Sequence, residues 1–133
     1  MLTPQAFIVN VQGWASQQPD IVALALIGSF ARGTATSESD IDFVLLTPKW
    51  ADYLVDLVWT ELFGEVKMTQ IEDYGAVKSL RVWYEDGLEV EFSLTEPEWA
   101  GLPIEPGTHQ VLNDGFEILY DPAGLLKTAT DAL

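Results

Sequence analysis

Two aspartates one residue apart, Asp40 and Asp42, open the segment Asp40-Ile41-Asp42-Phe43-Val44-Leu45-Leu46, whose composition is that of a strand. Residues two apart in a strand share a face, so both carboxylates project side by side while Ile41 and Phe43 turn into the core. Like charges held this close repel unless a cation lies between them, and a rigid strand that carries them suits a divalent metal. Upstream, Gly28-Ser29 ends the apolar run Ile21-Val22-Ala23-Leu24-Ala25-Leu26-Ile27. A glycine there lets the backbone approach a phosphate, and the N–H groups of the following turn, with the Ser29 hydroxyl, can bind phosphate oxygens. Alone, an Asp-x-Asp is more often a solvated strand-edge pair and a Gly-Ser more often a plain strand-to-turn connection. Their joint occurrence beside a buried strand is what raises a phosphate and metal site above those ordinary readings.

Composition limits the metal. The sequence has no cysteine and one histidine, His109, so thiolate and histidine-rich sites are excluded and oxygen ligands remain, favouring Mg²⁺, Mn²⁺ or Ca²⁺. The 21 acidic and 6 basic residues give a net charge of −15, which argues against a long polyphosphate partner such as DNA or RNA; most of the acids are expected to form a solvated surface. No apolar stretch approaches the roughly 20 residues that cross a bilayer, and the N-terminus lacks the pattern of a secretion signal. The expectation is a cytoplasmic protein with no membrane partner. The 133 residues, 48% of them hydrophobic, predict one globular domain over 1–133.

The elements that must position these residues follow from pattern and punctuation. Thr3-Pro4 opens a helix to about Gln17, with Phe7, Ile8, Val11, Trp14 and Ala15 at helical spacing. The Ile21–Ile27 run predicts a strand covered on both faces, and Phe30–Ser39 a small-residue connection to the strand Asp40–Leu46. Thr47-Pro48 starts a second helix, predicted to reach Phe63 before Gly64. Val77–Tyr84 and Leu88–Leu94 flank Glu85-Asp86-Gly87 and predict an antiparallel hairpin. A Pro- and Gly-rich loop over Pro97–Gly107, with His109 still in loop, a strand at Phe116–Tyr120 and a last helical turn after Pro122-Ala123-Gly124 complete the chain. Trp14, Trp50, Trp59 and Trp83 fall at core-like spacing.

Gly28-Ser29, the residues Phe30 to Ser39, and Asp40-Ile41-Asp42 together resemble the signature of the DNA polymerase β-like nucleotidyltransferase superfamily. Ser29-Phe30-Ala31-Arg32-Gly33 and Ser39-Asp40-Ile41-Asp42 look in particular like its small bacterial members, the minimal and the kanamycin-type nucleotidyltransferases. The close resemblance covers Ile21 to Leu46, about a fifth of the chain. It implies an α/β (α+β) nucleotidyltransferase fold: a mixed, mostly antiparallel sheet with helices packed against it, the active site opening where Gly28-Ser29 meets Asp40-Ile41-Asp42.

The resemblance also implies a third carboxylate on a later strand. Leu88, Val90 and Phe92 alternate with Glu89 and Glu91, so the two glutamates share the face away from the core. Glu91 is the expected third ligand and Glu89 the reserve. Such a site would hold two Mg²⁺ ions, with Mn²⁺ as the alternative, and transfer a nucleoside monophosphate from an NTP, ATP expected, to a hydroxyl of a small molecule or protein, releasing pyrophosphate. Gly28, Ser29, Arg32, Lys78 and Arg81 are the expected NTP-binding residues; for the last two, pairing with nearby acids is the ordinary alternative. Trp99 is placed to border the acceptor pocket. The second reading is an antitoxin-like minimal nucleotidyltransferase that binds, and modifies with AMP, a separate helical HEPN-type protein.

Overall fold

A computed structural model describes residues 3–133. Six strands form one sheet in the order β3-β4-β5-β2-β1-β6: β1 is Ala23–Ile27, β2 Ile41–Leu46, β3 Val66–Asp73, β4 Lys78–Tyr84, β5 Glu89–Thr95 and β6 Phe116–Tyr120. All neighbours are antiparallel except β2 and β5, which run parallel. The helices are α1 (Pro4–Ser16), α2 (Gly28–Arg32), α3 (Asp52–Val55), α4 (Pro106–Asn113) and α5 (Leu125–Asp131). The expected mixed, mostly antiparallel sheet with packed helices is thus what the chain forms. No helix among the described residues is long and apolar enough to cross a membrane.

Strand alternation sends the two halves of the apolar inventory to opposite faces. One face buries Leu24, Leu26, Ile41, Phe43, Leu45, Leu80, Val82, Val90, Phe92 and Leu94 beneath α1 and the 3₁₀ turn Val58–Phe63. Thr3 caps α1 by accepting from the Ala6 N–H at 3.1 Å, and Phe7, Val11 and Ala15 are its buried stripe. At the centre the Phe43 and Phe92 rings stack at 5.5 Å, with Trp59 meeting Phe92 edge-on at 4.8 Å. The other face buries Ala23, Ala25, Val44 and Leu46 against Leu112 of α4 and Leu126 and Ala129 of α5.

Four expectations are corrected. The second helix does not run from Pro48 to Phe63: only Asp52–Val55 is α-helical, Asp56 is extended, and a 3₁₀ turn follows. The Asp56 carboxylate accepts from the Val58 N–H, and the Trp59 indole donates to the Tyr53 carbonyl, so side chains take backbone groups that a continuous helix would use. Trp59 thereby stacks on Trp14 at 5.1 Å. The tail loop contains a 3₁₀ turn, Pro97–Ala100, and His109 lies inside α4, where its N–H donates to the Glu105 carbonyl. The strand β3 was not anticipated, because it is a largely exposed edge strand without the apolar alternation of a buried one. Trp83 is half-buried on the polar face of the sheet rather than in the core, its indole donating to Glu89 at 2.8 Å.

Phe92→Ala removes a fully buried ring from the middle of the aromatic cluster. Urea unfolding of this variant is expected to show a loss of about 3–5 kcal/mol relative to wild type.

Candidate active site

The parallel pairing of β2 with β5 sets Asp42 opposite Glu91, with Ile41 opposite Val90 and Phe43 opposite Phe92. The same alternation that buries those apolar partners turns Asp42 and Glu91 to the other face. Asp40 immediately precedes β2, and Arg81 on β4 stands opposite Glu91 on its far side. Asp40, Asp42, Glu91 and Arg81, singled out separately in the sequence, are therefore neighbours across three strands.

Gly28 completes this corner. Ile27 pairs with Asp42, so the chain leaves β1 beside that carboxylate. Gly28 has φ +74°, and a Cβ there would lie 2.5 Å from Asp42 Oδ2. Glycine is required twice over, by the backbone conformation and by the space the carboxylate occupies. Gly28 and Ser29 begin α2, a single short turn that ends at Gly33 in the left-handed conformation. Arg32 is exposed, its stem packed towards Gly115 at the start of β6, and it has no ion pair among the described residues.

The electrostatics are dominated by crowded acids. Arg81 donates from Nε to Glu72 (3.0 Å), from Nη1 to Asp40 (3.1 Å) and Glu89 (2.6 Å), and from Nη2 to Glu91 (2.6 Å). Asp42 is not among its partners. Burial, followed by repulsion from Glu91 and Asp40, pushes the Asp42 carboxyl up from the usual 3.8 to about 7. Asp40 is also raised, by burial and then by Glu89. Lys78 pairs instead with Asp73 at the β3–β4 turn, 2.8 Å away, and only its position on the cavity wall connects it with the site.

The two glutamates differ. Both Glu89 oxygens are engaged, Oε1 by the Trp83 indole and Oε2 by Arg81, whereas for Glu91 only Oε2 has a side-chain partner, Arg81. With its register against Asp42, this favours Glu91 over Glu89 as a third ligand. The donor set of Asp40, Asp42 and Glu91, all hard oxygens brought to one corner by adjacent strands, fits Mg²⁺ or Mn²⁺ in its chemistry. Among the described residues, however, no three such side chains already point at a common metal position. Asp40 and Glu91 point at the Arg81 guanidinium instead.

A cavity of about 850 Å³ opens from Glu91 along the same face of the sheet. Val44, Ser93 and Thr95 line it from the sheet, and Trp50, Trp99 and Thr108 from the covering segments. Glu96, Glu98 and Glu105 add carboxylates to its wall. Trp99, noted in the sequence as a pocket border, does border this cavity. Sequence reasoning missed Glu72, because β3 itself was not recognised, and missed Glu105 and Thr108, which α4 brings back over the sheet.

Two expected outcomes test this geometry. Gly28→Ala should lose about 1–2 kcal/mol in thermal unfolding, since the alanine must hold a left-handed backbone and displace Asp42. Asp42 binds a proton more tightly folded than unfolded, so its ionisation works against the fold: the cost is absent below about pH 4 and complete above about 7. In EDTA at pH 8, Asp42→Asn should therefore be more stable than wild type by at least about 1 kcal/mol, the difference closing as the pH falls towards 4.

The family model for the nucleotidyltransferase domain matches residues 11–100, a span that holds Gly28, Ser29, both aspartates, Arg81 and Glu91. No curated protein matches significantly. Among solved structures, the aminoglycoside 6-adenyltransferase from Bacillus subtilis superposes with a TM-score of 0.61 at 18% identity, over 75% of this chain and 37% of that one. A cytoplasmic RNA terminal U-transferase (TM-score 0.49, 13% identity, 70% of this chain and 30% of that one) and the Cid1 poly(U) polymerase (0.47, 13%, 70% and 31%) superpose less closely. The chain thus spans about a third of the length of these solved relatives. The match over residues 11–100 shows that this chain belongs to the nucleotidyltransferase domain family.

Proposed function

We propose that the protein transfers a nucleoside monophosphate from an NTP, ATP being the expected donor, to a hydroxyl of a small molecule or protein. The observation that carries this reading is the register that sets Asp42 opposite Glu91, with Asp40 beside them and Gly28 pressed against Asp42, in a chain of this family. Asp40, Asp42 and Glu91 would hold two divalent cations, Mg²⁺ or Mn²⁺. When bound, these supply neutralisation of the triphosphate and acidification of the acceptor hydroxyl.

The remaining steps belong to the chain. Backbone N–H groups at Gly28-Ser29 and the Ser29 hydroxyl donate to phosphate oxygens, and Arg32, which has no ion pair among the described residues, reaches the outer phosphates. Asp42 must lose the proton that its raised pKa favours before it can act as a ligand. Glu91, which lines the cavity, faces an acceptor bound there and receives its hydroxyl proton. The acceptor oxygen forms a bond to the α-phosphorus as the bond to pyrophosphate breaks, the two oxygens roughly in line.

The cavity's volume suits a small molecule, and Glu96, Glu98 and Glu105 on its wall favour an acceptor bearing amines. The second reading directs the same chemistry at a separate helical HEPN-type protein. In its favour, Val55, Val58 and Leu62, close together in sequence, are 85%, 64% and 65% exposed. The whole chain, 1–133, is proposed to act as one nucleotidyltransferase domain in the cytoplasm.

The test is incubation with each α-labelled NTP and Mg²⁺, alone and with cell extract, for wild type and Asp42→Asn. Wild type is expected to transfer label and release pyrophosphate, with a loss of at least about 100-fold in the variant. Turnover that survives the substitution would remove the basis for this function.

A further inference from the structure

Arg81 is one of two arginines in the sequence, and its guanidinium meets four carboxylates supplied by two strands, β3 and β5, and the residue before β2. Two of the four, Asp40 and Glu91, are candidate metal ligands. Of the other two, Glu72 is not a candidate and Glu89 is the disfavoured reserve, and each has a second anchor: the Tyr74 hydroxyl donates to Glu72, and the Trp83 indole to Glu89. The guanidinium therefore bridges an inner pair of acids, which belong to the site, and an outer pair, which are fastened elsewhere. Only a planar fork with several donors spans such a set; a lysine ammonium, a point charge on a flexible stem, would not.

The inner contacts pose a conflict. Glu91 Oε2 and Asp40 Oδ2 accept from the two Nη groups at 2.6 and 3.1 Å, and an oxygen that accepts a charge-assisted bond this short is not at the same time a good ligand for a small divalent cation. A cation shared by Asp40 and Glu91 would also stand close to the guanidinium, with like-charge repulsion between them. We propose that Arg81 is a built-in counter-cation of the carboxylate site: it holds Asp40 and Glu91 in place before metal binds, and metal binding makes it release those two while it stays on Glu72 and Glu89. This rests on the nucleotidyl-transfer reading above, in which Asp40, Asp42 and Glu91 are the metal ligands. In it, Arg81 is a positioning residue that lowers metal affinity in exchange for a site that stays assembled when empty.

The inference is tested without nucleotide, by Mn²⁺ titration followed by electron paramagnetic resonance at pH 8, for wild type, Arg81→Met and Lys127→Met. The last removes one positive charge from α5, where Lys127 pairs with Asp131, and controls for net charge. Arg81→Met is expected to bind Mn²⁺ roughly 10-fold or more tightly than wild type, with Lys127→Met within about twofold. In EDTA, Arg81→Met should also melt below wild type, because the acids it leaves behind repel. Affinity in Arg81→Met equal to or weaker than that of a wild type that binds Mn²⁺ overturns the proposal while leaving the nucleotidyl-transfer reading intact; absence of Mn²⁺ binding by wild type and Arg81→Met alike removes both.

If Arg81→Met does not fold, wild type itself gives the answer through its arginine side-chain ¹⁵N signals. The Arg81 Nη groups, held by Asp40, Glu89 and Glu91, should rotate slowly without metal and faster at saturating Mg²⁺, while the Nε signal keeps the shift imposed by Glu72. Nη signals unchanged by saturating Mg²⁺ overturn the proposal.

Discussion

The parallel pairing of β2 with β5 is the constraint on which the rest of this structure depends, because one register serves both faces of the sheet. On the inner face it stacks Phe43 on Phe92 and aligns Ile41 with Val90; on the outer face it places Asp42 beside Glu91. A slip of one residue would turn the carboxylates into the aromatic core and the rings into water, so hydrophobic burial enforces the geometry of the acids. Parallel neighbours also need a long crossover. Here the crossover is the segment from α3 through the β3–β4 hairpin, which carries Glu72 and Arg81 to the same corner. The element that makes the pairing topologically feasible thus delivers the site's positive charge.

That corner is electrostatically costly. Asp40, Asp42, Glu72, Glu89 and Glu91 meet a single guanidinium, and the acid without a direct bond to it, Asp42, shows the strain as a pKa near 7. Gly28 brings a backbone against that same acid where any side chain would collide. A site built only for stability would have replaced one of these carboxylates by a neutral residue, since crowded like charges oppose folding. Their placement on a rigid, well-packed strand pair accords with the proposed role of this corner in holding cations and a nucleoside triphosphate.

The outer face is otherwise only half covered. Leu112, Leu126 and Ala129 seal it over β1 and β2, where the sheet presents Ala23, Ala25, Val44 and Leu46. Over β4 and β5 the sheet presents Ser79, Ser93 and Thr95, hydroxyl-bearing residues that need no apolar cover because they satisfy one another or the backbone: Ser79 and Ser93 hydrogen-bond at 2.9 Å, and Thr95 donates to the Ala76 carbonyl. The cavity lies over this part of the sheet, with Glu91 at its edge. A change of side-chain chemistry along one face therefore separates structural packing from the space left for a ligand.

The features legible in the amino-acid sequence were those written in short-range pattern. The apolar run of β1, the alternation of β5, the Asp-Gly turn of the hairpin, the capped α1 and the Gly28-Ser29 and Asp40-Ile41-Asp42 motifs each announce themselves within a few residues, because burial on one or both faces imposes a period. By itself the sequence determined which acids share a face and that any metal must be held by oxygen. It could not show that Asp42 lies opposite Glu91, that Arg81 is surrounded by acids, that β3 adds Glu72, or that the stretch before Phe63 gives up its helix to seat Trp59 on Trp14. Those depend on pairings between residues far apart in the chain, and an exposed edge strand or a helix broken by side-chain hydrogen bonds leaves no period to read. Only the tertiary structure decided them, because register and packing are properties of the assembled sheet.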